Sequence, residues 1–398
     1  MDYLLCADDG TAYTYTPDKN IISESDGKYF FKDPDRKWPL VTSSNKKKDP
    51  KALKILLGLQ CNFRCEYCSQ TENIPATPIE PDIEGVIAML DGKDWNPRKV
   101  EFWGGEPFLY WKELSILIPR LRAKYPKAGM SIITNGSLIT QEKMAFLGEN
   151  KVHVVISHDG PGQFQRTLDP LYNKEIMEII KRMVSTRQYK ENSLFNAVLT
   201  PRNYDPVAVV EHLHRRVHPD AVISFEGVAS IHKRTEDEKD LHFNNETGMA
   251  MAGAIAKGII EGKLEKTSFM GHLRFFIQSL SDHRPATSIA SKCGMNTASN
   301  IAFDLQGNIL FCHNTTEAIG HLNDPECRVD NSKMTPWMER PNCKDCLIQQ
   351  LCRGGCMSIE SEEAWKASCN NSYYYHLGIF MGAFSILTGK ILKSTHRI

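Results

Sequence analysis

From Lys51 to Glu226 one pattern repeats, and it leaves few folds open. Short apolar runs alternate with segments whose apolar residues recur at helical spacing. The runs are Leu53–Leu59, Lys99–Trp103, Met130–Thr134, Val152–Ser157, Leu194–Thr200 and Ala221–Glu226. Between them, Ile83, Val86, Ile87 and Leu90 fall on one helical face, as do Leu114, Leu117, Ile118 and Leu121. Ile176, Ile179, Ile180, Met183 and Val184 do the same. Strands that alternate with helices predict an α/β fold, a parallel sheet covered by helices. Six such units fall short of the eight that close a full barrel.

In sheets of this kind the chemistry collects at the C-terminal strand ends. Each polar or glycine cluster here begins where an apolar run stops. Gly104-Gly105-Glu106-Pro107 follows the second run, Asn135-Gly136-Ser137 the third, and Ser157-His158-Asp159-Gly160 closes the fourth. After the first run comes Cys61-Asn62-Phe63-Arg64-Cys65-Glu66-Tyr67-Cys68. Three thiols so close together are too crowded for a disulfide framework, and zinc usually takes four ligands. Three thiolates can instead hold three irons of a 4Fe–4S cluster and leave one iron without a protein ligand. Soft thiolates select iron–sulfur clusters or zinc. A structural zinc site is the plainer alternative.

The chain has 398 residues, 12 of them cysteine, and a formal net charge of zero. Its length suggests two or three domains. Evenly mixed charges give no sign of a nucleic-acid groove. The start, Met1-Asp2-Tyr3-Leu4-Leu5-Cys6, lacks the basic and apolar regions of a signal peptide. A largely apolar helix is expected over Tyr373–Lys393, its unbroken core short of the ~20 residues that span a bilayer. A cytoplasmic, reducing and oxygen-poor setting is therefore expected, with no membrane and no nucleic-acid partner. There, clustered cysteines point to metal rather than disulfides.

Eight cysteines lie between Cys293 and Cys369. The order is Cys293, then Gly307-x4-Cys312, Cys327, Cys343-x2-Cys346-x5-Cys352-x3-Cys356 and Cys369. A zinc ribbon would use four of them and leave the rest unexplained.

The triad, the Gly-Gly-Glu-Pro turn and this C-terminal array together resemble radical S-adenosylmethionine (SAM) enzymes with a SPASM extension. The resemblance implies a partial (β/α)6 barrel followed by a domain that holds two auxiliary 4Fe–4S clusters. It implies that Cys61, Cys65 and Cys68 hold a cluster whose open iron chelates SAM, which an electron then cleaves to a 5′-deoxyadenosyl radical. Tyr67, Gly104, Gly105, Glu106, Asn135, Ser157 and Asp159 stand where relatives contact SAM. Gly104 and Gly105 are expected to let backbone approach the ligand closely. Asn135-Gly136 also reads as an ordinary turn, and Tyr67 as plain core packing. His158 has no assigned role.

By the same resemblance, Cys343, Cys346, Cys352 and Cys369 would hold one auxiliary cluster. Cys293, Cys312 and Cys356 would hold the other, with either Cys327 or no cysteine as its fourth ligand. Cys6 is a bystander. His313, after Cys312, stands where some sulfatase-maturing relatives carry an acidic proton acceptor; it is read as a catalytic base or a donor to cluster sulfur. The implied domains are a short extension at 1–50, the barrel at 51–235, a helical bridge at 236–290 and the cluster domain with its C-terminal helix at 291–398. A small hairpin is expected around Ala12–Tyr15 and a solvated linker over Ser43–Asp49.

The implied function is oxidative modification of a ribosomally made precursor peptide, most simply a carbon–carbon or carbon–sulfur cross-link. A reductant such as flavodoxin or ferredoxin would supply the electron. Oxidation of cysteine or serine to formylglycine, or a non-catalytic iron–sulfur electron carrier, are the alternatives. Three cluster sites predict about twelve irons per chain. Replacing Cys61, Cys65 and Cys68 with Ala is expected to remove about four of these; iron analysis showing no loss would contradict the assignment.

Overall fold

The structure is a computed structural model. It describes residues 1–24, 27, 30–31, 49–74, 80–186, 192–228, 240–284, 299–324, 342–343, 345–356, 359 and 361–398. Cys293, Cys327 and residues 43–48 of the expected linker lie outside them.

Three short strands open the chain: β1 (Tyr3–Ala7), β2 (Ala12–Thr16) and β3 (Ile21–Glu24). The expected hairpin is thus a meander. The repeating region follows as β4 (Ala52–Leu56), α1 (Ile83–Asp91), β5 (Lys99–Trp103), α2 (Trp111–Lys124), β6 (Gly129–Thr134), α3 (Gln141–Glu149), β7 (Val152–Ser157), α4 (Lys174–Val184), β8 (Phe195–Leu199), α5 (Pro206–Arg216) and β9 (Ile223–Val228). Neighbouring strands from β4 to β9 pair in parallel and in sequence order. Alternation along them buries Val100 and Phe102, or Val152, Val154 and Ile156, against the helices. Local signals set the helix starts. Asp205, for example, accepts from the amides of Val207 and Ala208, with Pro206 in the first turn.

The region read as a bridge forms α6 (Asn245–Ile260) and α7 (Ser268–Ser281). Beyond it, β10 (Asn300–Asp304), β11 (Asn308–Leu310) and β12 (Ala318–His321) continue the same sheet. β10 lies parallel to β4, Asn300 opposite Ala52 and Asp304 opposite Leu56. The order across nine strands is β12-β11-β10-β4-β5-β6-β7-β8-β9. The sheet thereby brings the Cys312 segment beside the loop that follows β4.

α8 (Gln349–Cys352) is a single turn, and α9 (Glu362–Thr388) a long helix packed on α6 and α7. The helix expected to run to Lys393 stops earlier. Gly389 takes a left-handed φ of 71° and its amide caps the Ser385 carbonyl. The chain then forms β13 (Leu392–Arg397), which pairs antiparallel with β1. Among the described residues no helix is long and apolar enough to cross a membrane.

Close approach of α9 to α6 requires a residue without a side chain at Gly378. A Cβ there would lie 2.7 Å from both the Ala252 carbonyl oxygen and the Ile255 Cβ. Overpacking of a tight core costs about 1–3 kcal/mol, so Gly378→Val is expected to lose at least that much stability in denaturant unfolding.

Candidate active site

A cavity of about 770 Å³ opens at the C-terminal ends of the parallel strands. Cys61, Cys65 and Cys68 line one part of it. Cys61 and Cys65 each lie close enough to Cys68 to feel its charge. Burial raises the Cys61 thiol and pushes Cys65 up to about 12. Three thiols held together in this state suit a cation that takes the place of their protons. Among the described residues no three His, Cys, Asp or Glu side chains close around one point as they would on a single ion. In a 4Fe–4S cluster each thiolate meets a different iron, so a wider set of sulfurs fits.

The cysteine loop is held from two sides. On one side is the Gly104–Pro107 turn. Gly105 and Glu106 donate their amides to the carbonyls of Gly58 and Gln60, at 3.0 and 2.9 Å. A Cβ on Gly105 would stand 2.3 Å from the Gln60 carbonyl oxygen, and one on Gly104 2.5 Å from that of Gly58. The close approach that requires glycine is therefore to the cysteine loop's own backbone. Both glycines also line the cavity.

Glu106 is buried and turned away from it. Its carboxylate accepts from the Thr134 hydroxyl at 2.7 Å, the Asn135 amide at 2.7 Å and the Phe108 amide at 2.9 Å. Burial raises its pKa despite these bonds. Asn135 reaches from the end of β6 back to the loop, donating to the Asn62 side chain at 2.8 Å. Asn135 lines the cavity, as does Ser157 at the end of β7.

On the other side stands Asp159, fully buried. Arg166 grips it with two bonds, Nε to Oδ2 at 2.8 Å and Nη2 to Oδ1 at 3.1 Å. The Val198 amide of β8 donates to Oδ1 at 2.9 Å, and the Tyr67 hydroxyl donates to Oδ2. The guanidinium also lies 5.3 Å from the centre of the Tyr67 ring. Tyr67 and Arg166 line the cavity; Asp159 stands behind them.

His158 acquires a role from the same geometry. Its Nδ1 accepts from the Gly160 amide at 3.0 Å, so Nε2 carries the proton and donates to Asp169 at 3.0 Å. The ring braces the turn that presents Asp159.

Across the cavity are Cys312 and His313 from the strand end of β11, and Cys356 beyond α8. Trp103, which ends β5, holds this segment. Its ring meets His313 edge-on at 4.3 Å, and its Nε1 donates to the Asn314 side chain at 3.1 Å. Burial, with Lys54 adding to it, lowers His313 to about 3, which leaves the imidazole neutral near pH 7. Its Nδ1 is buried without a partner. Cys343, Cys346 and Cys352 gather elsewhere, the first two on the loop leading into α8 and the third at the end of that turn. There Cys346 lies near the other two, and burial pushes it up to about 12. Cys369 lies on α9.

Several lining residues had no signal in the sequence: Arg166, Asn196, Glu226 and Tyr375. Asn196 and Glu226 close on each other across β8 and β9 at 3.1 Å. Both lie inside predicted strands, Asn196 near the start of β8 and Glu226 within β9, where a polar side chain between apolar neighbours was the available clue.

Residues 55–213 match the sequence profile described as the Radical SAM superfamily. That segment, about two fifths of the chain, carries the Radical SAM domain pattern. Among curated relatives it is 27% identical over 177 residues to the radical SAM cyclopropyl synthase TigE of Paramaledivibacter caminithermalis, covering 39% of this chain and 36% of that one. It is 31% identical over 112 residues to a cysteine-type anaerobic sulfatase-maturating enzyme of Clostridium perfringens, covering 25% and 30%. The chain thus matches about a third of either relative's length. Its fold resembles native anSMEcpe with bound AdoMet, with TM-score 0.62, 20% identity, and 85% and 98% of the two chains covered. It also resembles Streptococcus suis SuiB bound to precursor peptide SuiA, with TM-score 0.53, 16% identity and coverage of 79% and 74%.

Two substitutions test the cage around the cysteine loop. Gly105→Ala is expected to displace the Gln60 carbonyl and lower iron retention at the triad, read by iron analysis after reconstitution. Asp159→Asn strands the Arg166 guanidinium and is expected to cost about 3–5 kcal/mol in denaturant unfolding.

Proposed function

We propose that this chain is a radical SAM maturase that oxidatively modifies a ribosomally made peptide, with a C–C or C–S cross-link as the product. The observation that carries this reading is the shared cavity. The cysteine triad and the Cys312–His313 segment face one space of about 770 Å³, a volume suited to a small-molecule cofactor together with part of a substrate. A simple electron carrier has no use for such a chamber.

In this reading Cys61, Cys65 and Cys68 hold a 4Fe–4S cluster. Gly104, Gly105, Asn135 and Ser157 shape the adjoining SAM site. Tyr67 walls it, while Glu106 and Asp159 act from behind by fixing the loop. Cys343, Cys346, Cys352 and Cys369 hold one auxiliary cluster, and Cys293, Cys312 and Cys356 the other, in a partial barrel with a SPASM-type extension. When bound, SAM and its cluster supply a hydrogen-abstracting radical, and an auxiliary cluster can take up the surplus substrate electron.

The chain's own residues have the tasks of placement and exclusion. The wall made by Tyr67, Arg166 and Val198 keeps water from the reacting centre. Asn196 and Glu226 offer polar groups to a peptide entering from the β8–β9 side. His313 is neutral near pH 7 and too weakly basic to take a proton from substrate, so its part in this reading is a hydrogen bond to substrate or support of the neighbouring Cys312. A peptide substrate is also consistent with SuiB, whose structure contains precursor peptide SuiA.

A second reading is oxidation of cysteine or serine to formylglycine. It is favoured by the sequence likeness to a cysteine-type anaerobic sulfatase-maturating enzyme, 31% identical over 112 residues.

Incubation of the reduced, reconstituted protein with SAM is expected to release 5′-deoxyadenosine, detected by chromatography. No release from protein with full iron content would contradict the enzymatic reading. Adding candidate peptides separates the two products: a cross-link removes two hydrogens, while formylglycine formation yields an aldehyde that reacts with hydrazide probes.

A further inference from the structure

The first strands of the chain have no part in the site described above, yet they reach the auxiliary cysteines. β1 is sewn between β2 and β13, so the two ends of the chain form one small sheet. Its inner face rests on α9: Tyr13 meets Phe384 edge-on at 5.3 Å, and Tyr15 packs on Phe380 at 5.1 Å. That packing would be enough to anchor the sheet. The sheet also grips the loop and the α8 turn that carry Cys343, Cys346 and Cys352.

The grip has three points. The Tyr3 hydroxyl donates to the backbone carbonyl of Asp345, between the first two cysteines, at 2.5 Å. Arg397 of β13 holds the Asp345 carboxylate at 3.1 Å. The Gln350 side chain, between the second and third cysteines, donates to the Pro17 carbonyl at 2.8 Å in a buried bond. Tyr3, Tyr15 and Tyr373 all lie near enough to Cys346 to feel its charge. Cys343 and Cys352 are each 8% exposed.

We propose that this terminal sheet is a cover for the auxiliary cluster site, latched by Tyr3 and Arg397 on Asp345 and by Gln350 on Pro17. This rests on the reading of Cys343, Cys346 and Cys352 as cluster ligands. The cover keeps water, oxidants and chelators from the thiolates on this face and fixes the loop in the shape that holds iron. The cover depends on both chain ends, since Tyr3 comes from β1 and Arg397 from β13.

The test uses the full-length, fully reconstituted protein and a Tyr3→Phe/Arg397→Ala variant, which leaves Tyr13 and Tyr15 in the core. Iron release to a ferrous chelator is followed with time, alongside the denaturant midpoint. Losing the latches is expected to make about four of the irons leave roughly tenfold faster. The other irons should leave at the wild-type rate and the midpoint should hold. Wild-type kinetics for every iron would overturn the proposal. So would an equal acceleration of all irons with a lowered midpoint, which would mark the contacts as general packing. A Cys343→Ala/Cys346→Ala protein provides the control. If it retains as much iron as wild type, these cysteines are not ligands, and the cluster assignment falls along with the cover.

Discussion

A carboxylate with no access to water needs a full set of partners, and Asp159 has one. Taking such a charge out of solvent costs several kcal/mol unless it is paired and hydrogen-bonded. Arg166, Tyr67 and the Val198 amide meet that need. Each partner comes from a different part of the site: the segment after β7, the cysteine loop and β8. The ion pair therefore works as a tie. It fixes the loop that carries the thiols relative to the strands that shape the cavity. Glu106 does the same from the opposite side, joining the turn after β5 to the end of β6. Between the two carboxylates, a loop that has little regular structure of its own is held in one shape.

This division of labour separates two kinds of polar residue at strand ends. Asn135, Ser157, Tyr67 and Arg166 face the cavity, whereas Glu106 and Asp159 stand behind its wall. From sequence alone Tyr67, Glu106, Asn135, Ser157 and Asp159 read as equivalent, and Arg166 gave no signal. A carboxylate next to a glycine turn looks the same whether it points at a ligand or at a backbone amide. The distinction is tertiary: it depends on which strand lies next door and how deeply the side chain is covered.

Much of the framework was nonetheless legible. The strands β4 to β9 and their helices follow from local alternation and spacing, because each unit buries its own apolar face. The strand ends then placed the cysteine triad, the glycine turn and Ser157 on one side of the sheet. Three features were beyond local pattern. β10 pairs with β4 across almost the whole repeating region, and five residues such as Asn300–Asp304 carry no signal of that partner. β13 is mostly polar and becomes a strand only because β1 offers it an edge. His158 looked arbitrary until Gly160 and Asp169 were found on its two nitrogens.

The account stands on one claim: the cavity beside Cys61, Cys65 and Cys68 takes SAM onto an iron that the protein leaves open. Electron–nuclear double resonance on the reduced protein with SAM labelled at its amino nitrogen reads this directly. The account predicts a hyperfine coupling between the label and the cluster. Replacing Cys61, Cys65 and Cys68 with Ala should abolish it, and replacing Cys343 and Cys346 should leave it in place. Full iron content with no coupling to bound, labelled SAM would contradict it.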